Sequence, residues 1–181
     1  MGRPPTIDRD KVLDLAEQIL LKEGTGALTI DAVAKAAGVS KGGIQSRFGT
    51  KDDLIGAMLE RWSEEYNAQM RARLGPEPEP MAVARGHVDI TMALNAAERA
   101  RAAGFMAAMI DATHRRAECR AWYAELFGGL DPRSKEGRRA RMTLLATEGA
   151  FLLRTFGLMD FGDDEWADVQ DGLRAILDGT I

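Results

Sequence analysis

"GVSKGGIQSRFGTKDDLI", residues 38–55, decides the fold. It carries Lys41, Arg47 and Lys51 with no acid before Asp52, in a chain whose formal net charge is −4. Two consecutive glycines, Gly42 and Gly43, interrupt a stretch patterned as a helix. Each costs about 1 kcal/mol there relative to alanine. A helix selected for stability alone avoids that cost. One whose backbone must come close to a partner accepts it.

The flanking sequence reads as short helices with marked ends. Val12, Leu13, Ala16, Ile19 and Leu20 give residues 9–23 one apolar face, and Gly24 ends it. Thr29 is a candidate N-cap for a helix over 30–37 that stops at Gly38, and Ser40 for the next, which runs to about Phe48. "TKDD" at 50–53 has the form of a capping box opening a fourth helix that extends to about Arg73. Two short helices joined by "AGVS" have the proportions of a helix-turn-helix, whose second helix enters the DNA major groove. Val33, Ala34, Ile44 and Phe48 would pack the motif, leaving Lys41, Gly42, Gly43, Gln45, Ser46 and Arg47 facing outward. Gln pairs with the adenine edge and Arg with guanine. Thr29, Lys41, Ser46 and Lys51 suit phosphates, as do free amides at the helix starts near Thr29 and Thr50. Arg3, with Pro4 and Pro5, is either an arm for the minor groove or a loose tail.

Charge is segregated. From Ala32 to Lys51 every charged residue is basic, whereas acids gather at Asp160, Asp163, Asp164, Glu165, Asp168 and Asp171. The apolar content is mostly Ala, Leu, Met and Ile, which favours an all-α chain, and the segments marked along it number about nine helices. Cys119 is the only cysteine, so no internal disulfide forms. A single cysteine, the absence of a membrane-length apolar run and an N-terminus without a secretion-type core give a cytoplasmic expectation.

"TIDAVAKAAGVSKGGIQSRFGTKDDLI", preceded by a helix ending in "LLKEGTGAL", resembles the DNA-binding region of the TetR (tetracycline repressor) family of bacterial regulators. The resemblance spans residues 9–55 through Ala16, Gly24, Thr29, Val33-Ala34, Ala37 to Ser40, Phe48, Lys51 and Leu54. It implies a repressor that binds a palindromic double-stranded operator as a homodimer. It also implies that the last two long helices form a four-helix bundle, and that an inducer pocket in the second domain moves the fourth helix. The chain departs from the family pattern at Ile44-Gln45-Ser46-Arg47, where one or two aromatics are usual. Gln45 and Arg47 are therefore expected to be the principal readers. The domains expected are 1–50 for DNA and 51–181 for ligand and dimerisation.

After the break "GPEPEP" at 75–80, helices are expected near 81–96, 98–112, 114–127, 135–158 and 164–178. The penultimate one carries two apolar stripes, so it is covered on both sides. It is either a monomer's central helix or half of a dimer interface formed by Leu145, Gly149, Leu152, Phe156, Trp166, Val169 and Leu173. Ligand-contact candidates are Met92, Phe105, Met106, Met109, Trp122, Phe127, Glu148 and Phe151, although most bulky residues of this kind are simply core. Glu148 sits in the apolar run "LLATEGAFLL" and needs a partner, either a cationic ligand or an arginine such as Arg115 or Arg154. His87 and His114 lack metal-ligand spacing and read as surface residues. No metal, cofactor, enzymatic motif or membrane partner is expected. The alternative function is a constitutive DNA-binding regulator without a ligand switch.

Overall fold

A computed structural model describes residues 8–111 and 116–181; Arg3, His114 and Arg115 lie outside that set. The described residues form nine α-helices and no strand, as the composition predicts. In chain order these are α1 (Arg9–Glu23), α2 (Ile30–Ala37), α3 (Lys41–Phe48), α4 (Lys51–Leu74) and α5 (Pro80–Met92). They continue with α6 (Ala96–Asp111), α7 (Arg116–Gly128), α8 (Lys135–Thr155) and α9 (Asp163–Asp178). None is long and apolar enough to cross a membrane. The chain divides into two compact units. One is the chain up to Glu65 with the stretch that begins at Ala100, and the other is Tyr66–Arg99 with Ala117–Ile181.

In the first unit, local signals set the helix ends. The Thr29 hydroxyl accepts from Ala32 N–H at 3.1 Å and the Ser40 hydroxyl from Gly43 N–H at 3.1 Å. Thr50 and Asp53 cap each other: Thr50 N–H donates to the Asp53 carboxylate at 2.9 Å and Asp53 N–H to Thr50 Oγ1 at 3.2 Å. Gly38 turns the chain between α2 and α3 at φ 68°, a left-handed conformation that a side chain disfavours. Leu13, Leu28, Val33, Ile44 and Leu54 form the centre of the core. Phe105 of α6 is buried in the same core and its ring lies 5.5 Å from that of Trp62. Phe105 is thus a packing residue of the first unit and not a ligand contact in the second. Arg101 of α6 pairs with Glu17 of α1 and Glu65 of α4, and Arg61 pairs with Asp14 and Glu17. Burial acts to lower the Arg101 pKa, but the hydrogen bonds and charges of Glu65 and Glu17 outweigh it and raise it. These bridges tie α6 and α4 to α1.

The second unit packs α5, α7, α8 and α9 around Ala84, Val88, Met92, Leu126, Leu144, Trp166, Leu173 and Leu177. α5 ends at Met92, four residues before the expected 96, because Asn95 starts a new helix. Its side chain accepts from Ala97 N–H at 2.9 Å and Glu98 N–H at 3.0 Å, and its own N–H donates to Glu98 at 2.8 Å. α8 ends at Thr155 instead of 158, where Gly157 adopts φ 63°. At its other end, the third helical residue is Gly137, whose N–H donates to the Ser134 hydroxyl at 2.9 Å. A Cβ added there would lie 2.0 Å from the Asp131 carbonyl oxygen, a backbone atom that cannot swing aside. Gly137→Ala should therefore cost about 1–3 kcal/mol or more, seen as a Tm lowered by several degrees. An unchanged Tm would show that the 131–137 turn yields easily.

α8 has two faces, as its sequence predicts. Ala140, Thr143, Leu144, Thr147 and Phe151 are buried within the unit. On the other side Met142, Leu145 and Phe156 are exposed by 63%, 57% and 42%, and a Cβ at Gly149 would meet nothing within 4 Å. With half-buried Leu152 these residues fall at alternating spacings of three and four, the pattern of a helix seam. Trp166 and Leu173, expected beside them at an interface, instead serve the unit's own core. The Trp166 indole N–H donates to the Met92 carbonyl at 3.0 Å and its ring lies under the Arg154 guanidinium at 4.2 Å. Val169 is half-buried against the same core.

Candidate functional site

The outer face of α3 is set by what its inner face buries. Ile44 and Phe48 are held in the core of the first unit. Lys41, Gly42, Gln45, Ser46 and Arg47 are consequently exposed, and a Cβ at Gly42 would meet no atom within 4 Å. Backbone and side chains on this face are open to a partner. The exposed group has two cations and no acid, so it attracts phosphate. Gly43, one residue further, is half-buried and gives its N–H to the Ser40 cap.

Two of the expected phosphate contacts have local duties. Lys51 is half-buried, and its ammonium donates to the Thr25 carbonyl at 2.7 Å, pinning the loop after α1. Two of its three N–H donors remain for another acceptor. Thr29 is exposed with its hydroxyl engaged in capping α2. At the start of α4 the Thr50 amide donates to the Asp53 carboxylate.

The second unit holds a polar cluster among aromatic rings. Glu148 of α8 lies 2.8 Å by Oε1 from His87 Nε2, and its Oε2 accepts from the Tyr123 hydroxyl at 2.8 Å. His87 Nδ1 lies 2.7 Å from the Tyr66 hydroxyl, and the Thr91 hydroxyl is 3.4 Å from Nε2. The Trp122 ring stands 5.6 Å from Tyr66, 5.8 Å from His87 and 4.9 Å from Tyr123. Helices α4, α5, α7 and α8 each contribute to the cluster. Burial, then the nearby Glu148 charge, raises the pKa of Tyr66, Tyr123 and Cys119 alike.

Tyr66 and Tyr123 are the only tyrosines of the chain. The folded protein should therefore show almost no tyrosinate absorbance at pH 10, the value at which a free tyrosine is half ionised. The unfolded chain ionises there and the folded one does not, so stability falls as pH rises through that range. A spectrophotometric titration checks this. Half-ionisation near pH 10 in the still-folded protein would mean that the phenols are not held as described.

Of the eight ligand candidates, Trp122 and Glu148 join this cluster. Met92 and Phe151 are buried core residues, and Phe127 is half-buried with the Arg141 guanidinium 5.1 Å from its ring. Met106 and Met109, like Phe105, belong to the stretch of α6 in the first unit. Sequence reasoning missed Tyr66, Tyr123 and His87. His87, read as a surface residue, is 3% exposed. The available signal was its place in "GHVDITM", where Val88 and Met92 mark the same helix as buried. Glu148 meets His87 and Tyr123, while Arg154, one of its expected partners, lies 3.6 Å from Asp163. Beside the cluster a cleft of about 400 Å³ is walled by Tyr66, Trp122, Met70, Val83 and the Gly75–Pro78 loop, with Arg71 and Glu125 on its lining.

Residues 12–58 match the family described as "Bacterial regulatory proteins, tetR family", and residues 81–178 match "Tetracyclin repressor-like, C-terminal domain". The HTH-type transcriptional repressor ComR of Escherichia coli K12 is 30% identical over 73 residues, which are 40% of this chain and 35% of ComR. The chain thus spans about a third of that curated relative's length. A transcriptional regulator from Rhodococcus sp. Rha1 shares the fold with a TM-score of 0.69 and 21% identity, over 95% of this chain and 97% of that one. The multidrug binding protein EbrR, in a structure complexed with malachite green, does so with a TM-score of 0.64 and 23% identity, over 94% and 98%. With both halves matched, the chain belongs to the TetR family of DNA-binding transcriptional regulators.

Proposed function

We propose that the protein is a homodimeric repressor that binds a palindromic operator and releases it when a small cationic or aromatic inducer binds. Residues 1–50 read the DNA; residues 51–181 bind the inducer and dimerise. The observation that carries the reading is the outer face of α3, basic, open and stripped of side chain at Gly42. Gln45 and Arg47 would read base edges, and Lys41, Ser46, Lys51 and Thr29 would contact phosphates. The exposed Met142–Phe156 seam of α8 supports a two-fold pairing of copies. Two heads then meet successive major grooves about 34–36 Å apart. An inducer acts by favouring a different spacing, and its leverage equals its differential affinity for the two states. The cationic class is supported by Glu148 among aromatic rings, and by the dye held in the EbrR structure of the same fold.

Release is the test. Operator DNA bound at moderate salt should dissociate when a cationic aromatic dye is added, and an anionic dye of similar size should leave it bound. Full retention at saturating dye would instead favour a constitutive regulator without a switch. The observation on that side is that Glu148 is already satisfied by His87 and Tyr123.

A further inference from the structure

Most of the large apolar side chains that the fold leaves open lie along one line. Of seven such residues exposed among the described ones, five are Met142, Leu145, Phe156, Leu158 and Met159, on α8 and in the turn after it. An exposed apolar concentration of this kind marks an interaction surface.

The seam on α8 is symmetric along its own length. Arg138, Met142, Leu145, Gly149, Leu152 and Phe156 succeed one another at steps of four, three, four, three and four. That pattern is the same from either end, and its centre falls between Leu145 and Gly149. A second copy laid antiparallel across this centre sets Leu145 against the partner's Gly149, Met142 against the partner's Leu152 and Arg138 against the partner's Phe156. A Cβ at Gly149 would meet nothing within 4 Å, so the bare position gives a facing leucine its seat. A parallel copy would set leucine on leucine and glycine on glycine, with a gap at the latter.

Charge points the same way. The seam begins beside Lys135 and Arg138, both exposed, and neither meets a carboxylate among the described residues. Arg138 gives one N–H to the Arg133 carbonyl and keeps its other donors. Cations in the first turn of a helix oppose its dipole, so α8 itself disfavours them there. Past the other end of the seam lie Asp160 and Asp164, also exposed and without a cation partner among the described residues; Asp163 between them lies 3.6 Å from Arg154. Antiparallel pairing brings the basic start of each α8 to the acidic corner of the other copy. Parallel pairing would bring cations to cations and acids to acids.

We propose that two copies pair antiparallel through α8, with Leu145 seated on the partner's Gly149, and that Lys135 and Arg138 engage the partner's Asp160 and the partner's Asp164. This rests on the homodimer reading above and adds its direction, its register and the charges that select a like copy. A related regulator with a different order of charge would meet a repulsive corner. The two corners of the dimer sit at the rim of the apolar seam, where charges choose the partner and salt screens them.

Sedimentation velocity of the full-length protein tests the arrangement with two charge-reversed variants. One is Lys135→Glu with Arg138→Glu, and the other is Asp160→Lys with Asp164→Lys. All four positions are exposed, and melting curves report whether both variants fold. Alone, each variant should dimerise at least about tenfold more weakly than the wild type, because both corners become repulsive. Mixed in equal amounts, the two should recover most of that loss, since both corners of the mixed dimer then pair opposite charges. The wild-type dimer should loosen by about three- to tenfold as salt rises from about 0.05 M to about 0.5 M, a readout that needs no variant. Folded variants that dimerise like the wild type, or a mixture that recovers nothing, would overturn the charged corners and leave the homodimer standing. A wild-type dimer that is indifferent to salt or tightens with it would do the same. A wild-type monomer at every salt concentration would overturn both.

Discussion

Replacing Leu145 with glutamate is expected to give a folded monomer that no longer holds its operator. Leu145 is 57% exposed within one protomer, so the substitution removes little from the protomer's own core and its thermal stability should barely change. In a two-fold pairing through the α8 seam the effect is large. Each copy brings its carboxylate into an apolar contact opposite Met142, Leu145, Leu152 or Phe156 of the other, and the symmetry counts the cost twice. A single head retains half of the DNA contacts, so operator affinity should fall by at least about 100-fold, the loss of roughly 3 kcal/mol. Sedimentation velocity beside a melting curve separates the outcomes. A dimer that persists in Leu145→Glu would place the interface elsewhere.

The second large effect concerns α3. Gln45→Ala combined with Arg47→Ala should cost about 2–6 kcal/mol of operator binding per copy, since each good base contact contributes about 1–3 kcal/mol. The loss should be confined to the specific site, because both side chains project from α3 and neither supports the core beneath it. Lys41→Ala provides the contrast: it should weaken specific and scrambled DNA alike and lower the salt slope by about one per copy. If the double variant bound its operator with unchanged affinity, α3 would be docked through other residues.

The first four helices were legible because their signals are local. Thr29, Ser40 and the Thr50–Asp53 pair each act within three residues, and the structure uses all of them. The Asn95–Glu98 box was equally legible, and overlooking it carried α5 past its true end. The aromatic cluster was not, since it joins residues 66, 87, 122, 123 and 148 through packing of four helices. An apolar stripe on α9 reads the same whether it faces its own unit or another copy. Trp166 and Leu173 fell on the near side of that ambiguity, while Leu145 and Phe156 remained open. Lys51 shows the same limit: its charge was visible in sequence, its bond to the Thr25 carbonyl was not.

The central claim is that the outer face of α3 reads DNA. Its most direct test is fluorescence anisotropy on DNA from upstream of the protein's own gene, against a scrambled fragment of equal length, across a salt series. Steeply salt-dependent binding that favours the upstream fragment at every salt concentration, and loses that preference in the Gln45→Ala, Arg47→Ala variant, is the predicted result. A preference that survives in the variant would contradict the claim.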